Sequence, residues 1–233
     1  MKALPSYPNP LLRGWRMPEG VPAASLWYRL WRRILQVGFA GVCRVEVFNR
    51  HYEPASGAAL YICNHQSFLD PPLMSMALRR PMNYMARDSL FRFKPFGWMI
   101  RSFNAFPVKR ASADTGALRE ALRRLKAGGQ LVVFPEGTRT RDGRVGPFLP
   151  GVTLLAQRGA EWVVPVIIDG AFECWPRTRR LPRPGWVVVA YARPLHRSQC
   201  AGMKEGQLLD EVRRRMIELQ RQVRAMRGKP PLE

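Results

Sequence analysis

The chain has 233 residues, of which 46% are hydrophobic, so it can bury a sizeable core and is not wholesale disordered. Lysine and arginine number 38 against 17 aspartates and glutamates, a formal net charge of +21. Such a surface attracts phosphate, whether in nucleic acid, an anionic membrane or a small substrate, and charge alone does not choose among them. The four cysteines, Cys43, Cys63, Cys174 and Cys200, form no CxxC pair, which speaks against a zinc ribbon or redox motif and for reduced thiols. His51, His65 and His196 are too few to suggest a metal centre, so none is expected.

Residues 1–22 form a proline-rich arm without the apolar core of a signal peptide. Residues 23–44 form the next unit. Ser25 is a helix N-cap candidate, and Leu26, Trp27, Leu30, Trp31, Ile34 and Leu35 recur at three- and four-residue intervals. An aromatic-rich apolar stripe beside Arg29, Arg32, Arg33 and Gln36 suits a helix lying in a lipid headgroup layer, and equally a helix packed on its own core. The apolar stretch Ile34 to Cys43 is too short to span a bilayer, which needs about 20 residues.

Residues 45–233 alternate strand and helix signals. Ala58–Cys63, Met82–Ala86, Leu131–Phe134, Val163–Ile168 and Trp186–Tyr191 read as strands. Pro71–Leu78, Leu118–Ala127, Val152–Gln157 and Leu208–Met226 read as helices, with Gly128-Gly129 ending the second. This order predicts one α/β domain with a mixed, largely parallel sheet flanked by helices. Arg177, Arg179, Arg180 and Arg183, set among prolines and Trp175 and Trp186, suit either a membrane interface or a solvated loop.

Two segments carry chemistry. In Asn64-His65-Gln66-Ser67-Phe68-Leu69-Asp70 an imidazole precedes a carboxylate by five positions, at the end of a predicted strand. Histidine accepts protons near neutral pH, and a carboxylate on its other ring nitrogen fixes the tautomer and stabilises the imidazolium. Asp70 before Pro71 is also a good N-cap. Ser67 suits a local turn hydrogen bond. The second segment, Phe134-Pro135-Glu136-Gly137-Thr138-Arg139, follows a predicted strand directly. Arg139 offers a planar fork for phosphate and Glu136 an acceptor for a polyol hydroxyl; the plain alternative is a surface turn with a local Glu–Arg ion pair.

Together the two segments resemble the bacterial 1-acylglycerol-3-phosphate acyltransferases, within the wider glycerolipid acyltransferase family. The family's Asn-His-x4-Asp pattern is met by Asn64, His65 and Asp70, and its Phe-Pro-Glu-Gly-Thr-Arg segment by residues 134–139 unchanged. Phe106-Pro107-Val108-Lys109-Arg110 fits the intervening segment, and Val163-Val164-Pro165-Val166 the later strand with a proline. The similarity runs from about Val45 to Leu195. Where the family shows a phenylalanine followed by lysine and glycine, this chain has Phe148-Leu149-Pro150-Gly151.

The resemblance implies transfer of a fatty-acyl group from acyl-CoA or acyl-carrier protein to the free hydroxyl of a lysophospholipid, above all 1-acylglycerol-3-phosphate, with another lysolipid head group as the nearer alternative. No cofactor beyond the acyl donor is implied. His65 and Asp70 would be catalytic. Glu136, Gly137, Thr138, Arg139, Arg110 and Lys109 would bind the acceptor. The site would be peripheral, on an anionic membrane at the cytoplasmic face of the inner membrane. A basic nucleic-acid-binding protein is the alternative from another class, but RNP-like motifs and a clear recognition helix are missing, so no nucleic-acid partner is expected.

Overall fold

The structure is a computed structural model that describes residues 6–7, 25–109 and 114–232. The rest of the proline-rich arm and Arg110 lie outside the described residues.

Strand β1 (Ser6–Tyr7) is followed by helix α1 (Leu26–Val42), and α1 runs straight into β2 (Cys43–Phe48). The chain continues through β3 (Ala59–Cys63), α2 (Asp70–Ala77), β4 (Met82–Arg87), α3 (Lys94–Ser102), β5 (Ala105–Val108), α4 (Thr115–Lys126) and β6 (Gln130–Val133). Then come α5 (Gly151–Arg158), β7 (Trp162–Asp169), α6 (Ala171–Cys174), β8 (Gly185–Tyr191), β9 (Leu195–His196), α7 (Arg197–Ala201) and α8 (Glu205–Met226). The sheet runs in the order β1-β2-β8-β7-β3-β6-β4-β5, with β9 beside β7. From β7 through β3, β6 and β4 to β5 every pairing is parallel, whereas β7 with β8, β7 with β9 and β1 with β2 are antiparallel. The mixed, largely parallel α/β architecture read from the sequence is the one observed.

Parallel strands are covered on both faces, so they carry continuous apolar runs. All five residues of β3 are buried. The strand's alternation sends Leu60 and Ile62 to one face, packed with α4, α5 and α8. Ala59, Tyr61 and Cys63 point to the other face, packed with α2. The helices start and stop on local chemistry. Ser25 Oγ accepts the Tyr28 N–H at 3.2 Å, Asp114 caps α4 by accepting from Ala117 N–H at 2.9 Å, and Gly128 leaves α4 at φ +77°. Helix α3 was not foreseen.

Helix α1 holds the domain through its polar side. Tyr28 Oη lies 2.9 Å from Ser75 Oγ, and Arg32 Nη1 donates to the carbonyls of Leu78 and Arg79 at 3.3 and 3.1 Å. Tyr28, Arg32 and Gln36 are buried, while Leu26, Leu30, Ile34 and Val37 are exposed. Trp31 and Leu35 of the predicted stripe are only partly covered. Trp27 bridges to α3, donating to Ser102 Oγ at 2.9 Å with its ring 5.6 Å from that of Trp98.

Candidate active site

The carboxyl edge of the parallel strands gathers the residues singled out by sequence. Ile62 of β3 pairs with Val133 of β6, so His65 and Glu136, each three residues further on, emerge side by side. Before His65, Asn64 is locked to β7. Its amide donates to Ile168 O at 2.9 Å and its carbonyl accepts Ile168 N–H at 2.8 Å. His65 O accepts Thr140 N–H at 2.8 Å, and the imidazole stacks on Phe134 with ring centres 4.3 Å apart.

Asp70 sits at the start of α2, but its side chain turns back rather than capping the helix. One oxygen, Oδ2, accepts Gln66 N–H at 2.6 Å and Ser67 N–H at 2.7 Å and lies 2.7 Å from His65 Nδ1. The N-cap expectation is therefore corrected: the prolines at residues 71 and 72 start the helix, and the carboxylate is spent on the histidine segment. Asp70 is fully buried, whereas the His65 side chain keeps 12% of its surface exposed. With Nδ1 engaged by the carboxylate, Nε2 is the ring nitrogen left for a reactant. Ser67 makes the local bond expected of it, accepting Leu69 N–H at 3.1 Å, and also donates to Trp175 O at 2.7 Å.

Glu136 forms no ion pair with Arg139 among the described residues, which overturns the surface-turn alternative. It accepts His65 N–H at 3.4 Å and bonds the Gly146 N–H. Burial pushes its carboxyl up to about 7, against the partial pull of those two N–H groups. Gly137 takes φ +66°, which closes the turn after β6 with its N–H on Phe134 O at 3.1 Å. Thr138 is exposed. Arg139 lays its guanidinium 3.5 Å from the centre of the Phe68 ring, and so lies against the His65–Asp70 segment. Lys109 is exposed just past β5, three strands along the edge from β3 and hence about 14 Å away at ordinary strand spacing. The structure thus brings His65, Asp70, Glu136 and Arg139 together and leaves Lys109 at the periphery. Cys63 is fully buried, and burial pushes its thiol well above the ordinary range, so it is no nucleophile.

Sequence reasoning missed two buried amides. Gln66 Nε2 and Gln220 Nε2 both donate to Gly143 O, at 2.9 and 3.0 Å, and Gln66 Oε1 accepts Phe172 N–H at 3.2 Å. This ties the loop after Arg139 to α8 and to the histidine segment at once. It also missed that Asp169, at the end of β7, is buried against Arg224 and Arg227 of the α8 end. No local signal marks either, because the partners are far apart in sequence.

A family model described as Acyltransferase matches residues 44–169. A 1-acyl-sn-glycerol-3-phosphate acyltransferase of Bacillus subtilis is 28% identical over 158 residues, covering 67% of this chain and 76% of its own. The chloroplastic 1-acyl-sn-glycerol-3-phosphate acyltransferase BAT2 of Brassica napus is 30% identical over 162 residues, 68% of this chain. The chain spans only 45% of that plant protein and 44% of LPAT1 of Arabidopsis thaliana. The crystal structure of the 1-acyl-sn-glycerophosphate (LPA) acyltransferase PlsC from Thermotoga maritima superposes with a TM-score of 0.68 at 27% identity, covering 80% of this chain and 75% of that one. The matched family segment begins in β2 and ends at Asp169, and so takes in His65, Asp70, Glu136 and Arg139. The chain belongs to the acyltransferase family.

Proposed function

We propose that the protein transfers a fatty-acyl group from a phosphopantetheine thioester to the free hydroxyl of a lysophospholipid, with 1-acylglycerol-3-phosphate as the acceptor and phosphatidic acid as the product. The observation that carries this reading is the His65–Asp70 contact of 2.7 Å on a ring that is not sealed in the core. His65 Nε2 takes the hydroxyl proton as the oxygen attacks the thioester carbon. The new C–O bond forms, the C–S bond breaks, and the thiolate leaves with little acid assistance, since a free thiol has a pKa near ~8.5. The proton on His65 then passes to that thiolate. Asp70 stabilises the imidazolium throughout. No covalent acyl-enzyme is needed.

Arg139 binds the acceptor phosphate close to the reacting hydroxyl, and Glu136 orients the glycerol. Lys109 adds to the positive field along which an anionic substrate arrives. Because a buried carboxyl near 7 is partly neutral at physiological pH, Glu136 can donate as well as accept.

The same reading places the enzyme on a membrane surface. In support, α1 turns Leu26, Leu30, Ile34 and Val37 outward, and Phe93, Phe96 and Trp98 beside and within α3 are exposed as well. Arg29 and Arg33 lie exposed beside them. An apolar face rimmed by arginine suits an anionic headgroup layer such as the cytoplasmic leaflet, at about 1 kcal/mol per basic residue near the surface. Among the described residues no helix is long and apolar enough to cross a membrane.

The test is His65→Ala, assayed with lysophosphatidate and acyl-CoA and with products resolved by mass spectrometry. Turnover should fall by roughly 10²–10⁴-fold, with an unchanged circular-dichroism spectrum. Retained turnover in a folded variant rejects the base assignment.

A further inference from the structure

Basic side chains stand on both flanks of His65 at the carboxyl edge of the sheet. On one flank, beyond β6 and β4, is Lys109 at the end of β5. On the other flank β7 neighbours β3 directly, and the chain leaving β7 passes through α6 into a loop at 175–184. That loop contains Arg177, Arg179, Arg180 and Arg183 and no acidic residue.

The loop is fastened to the catalytic segment. Trp175 O accepts from Ser67 Oγ at 2.7 Å, and the Trp175 ring lies 5.2 Å from Phe68, the residue that carries the Arg139 guanidinium. Its shape is fixed internally. Trp175 Nε1 donates to Arg179 O at 3.1 Å, Arg183 N–H to Cys174 O at 2.9 Å, and Arg183 Nε to Glu173 O at 2.6 Å. Five arginines of helices α4 and α8 are matched by carboxylates: Arg123 and Arg124 by Glu120, Arg214 and Arg215 by Glu211, Arg221 by Glu218. Arg177, Arg179 and Arg180 are exposed, and none takes part in an ion pair among the described residues. Like charges held in a preformed loop repel unless an anion joins them.

Acyl transfer brings two anions to His65. The acceptor's phosphate is only a few bonds from its reacting hydroxyl, so it belongs deep in the site, beside Arg139. The donor's phosphates sit at the far end of the pantetheine arm, so they belong at the exposed rim on the flank opposite Lys109. We infer that the loop bearing Arg177, Arg179 and Arg180 docks the phosphates of the phosphopantetheine donor. The assignment rests on the acyl-transfer reading. Planar guanidinium forks suit phosphate oxygens pairwise, as lysines do not.

The experiment compares the full chain with a triple variant, Arg177→Ala, Arg179→Ala and Arg180→Ala, in neutral detergent micelles. The donors are acyl-CoA, the same chain on carrier protein, and S-acyl pantetheine, which lacks phosphate. The preference of wild type for acyl-CoA over S-acyl pantetheine, as a ratio of kcat/KM, should shrink by about tenfold or more, while the apparent KM for lysophosphatidate moves by less than about twofold. A matching loss with acylated carrier protein supports a shared phosphate site, and a loss with acyl-CoA alone supports docking of its nucleotide phosphates. An unchanged donor ratio, a rise confined to the lysophosphatidate KM, or a loss of binding to anionic vesicles at constant donor ratio each overturns the inference. Titration of coenzyme A onto both proteins gives a readout without turnover. Absent turnover with coenzyme A bound tells against the acyl-transfer reading, and equal coenzyme A affinities tell against the loop.

Discussion

Helices α1 and α8 look alike in sequence, each amphipathic and crowded with arginine, yet they face opposite ways. Helix α8 buries its apolar stripe: Leu208, Val212, Met216, Leu219 and Val223 all lie in the core. Helix α1 buries Tyr28, Arg32 and Gln36 and leaves Leu26, Leu30, Ile34 and Val37 in the open. The difference shows that a periodic stripe locates a face without saying what covers it. The partner of the α8 stripe is the sheet of this chain. For α1, the domain supplies polar partners instead, the Ser75 hydroxyl and the carbonyls of Leu78 and Arg79. Arg32 can be buried there because its Nη1 donates to two backbone carbonyls, and the apolar side stays exposed.

The sharpest way to break this comparison is to put the same charge on each stripe. Met216→Asp should destabilise by about 4 kcal/mol or more in urea unfolding, through a lost side chain and an unpaired buried charge. Leu30→Asp should stay within about 0.5 kcal/mol of wild type, and should instead weaken partition onto anionic vesicles by roughly tenfold. A large stability loss from Leu30→Asp would mean that the outward stripe is covered by protein.

Next in size is the inward grip of the α8 end. Asp169 is fully buried and bonded by Arg224 at 3.2 Å and by Arg227, which also donates to Trp186 O at 2.5 Å. Asp169→Ala strands two guanidinium groups and should cost about 3–5 kcal/mol. Adding Arg227→Met should restore part of that loss, which simple additivity would not allow. Since Asp169 follows Ile168, the residue that clamps Asn64, turnover of the folded fraction should also fall.

The His65–Asp70 pair was legible in the sequence because its contacts are local: the two residues lie within one turn and use the backbone between them. Glu136 was legible as part of a contiguous motif, and its place beside His65 follows from parallel register. Three things were not legible. Lys94–Ser102 is short and contains the breakers Pro95 and Gly97, which mask its amphipathic pattern, so α3 went unread. The basic run of α8 reads as a solvated face, although Arg224 and Arg227 turn inward to Asp169. Gln66 and Gln220 converge on one carbonyl only after the sheet and α8 have assembled. Long-range polar closure leaves no periodic trace.

The smallest of these effects probes what the inward helix does for the site. Arg213 of α8 donates to Gly146 O at 3.2 Å and Val145 O at 3.1 Å, holding the strand of loop whose Gly146 N–H bonds Glu136. That arrangement keeps water from the carboxyl and raises it from an ordinary 4.5 to about 7. Between those two values the folded protein holds a proton that the unfolded chain has released. The stability of wild type therefore falls as pH rises through this window and levels off above it. Glutamine does not titrate, so Glu136→Gln should match wild type near the lower bound and gain on it as pH rises. The gain should reach about 1–3 kcal/mol at pH values above about 7, after allowance for the group's partial exposure. Urea unfolding of both proteins across the window measures it. A constant offset at every pH would show that the carboxyl is wetted, and that α8 shelters the core without sheltering the site.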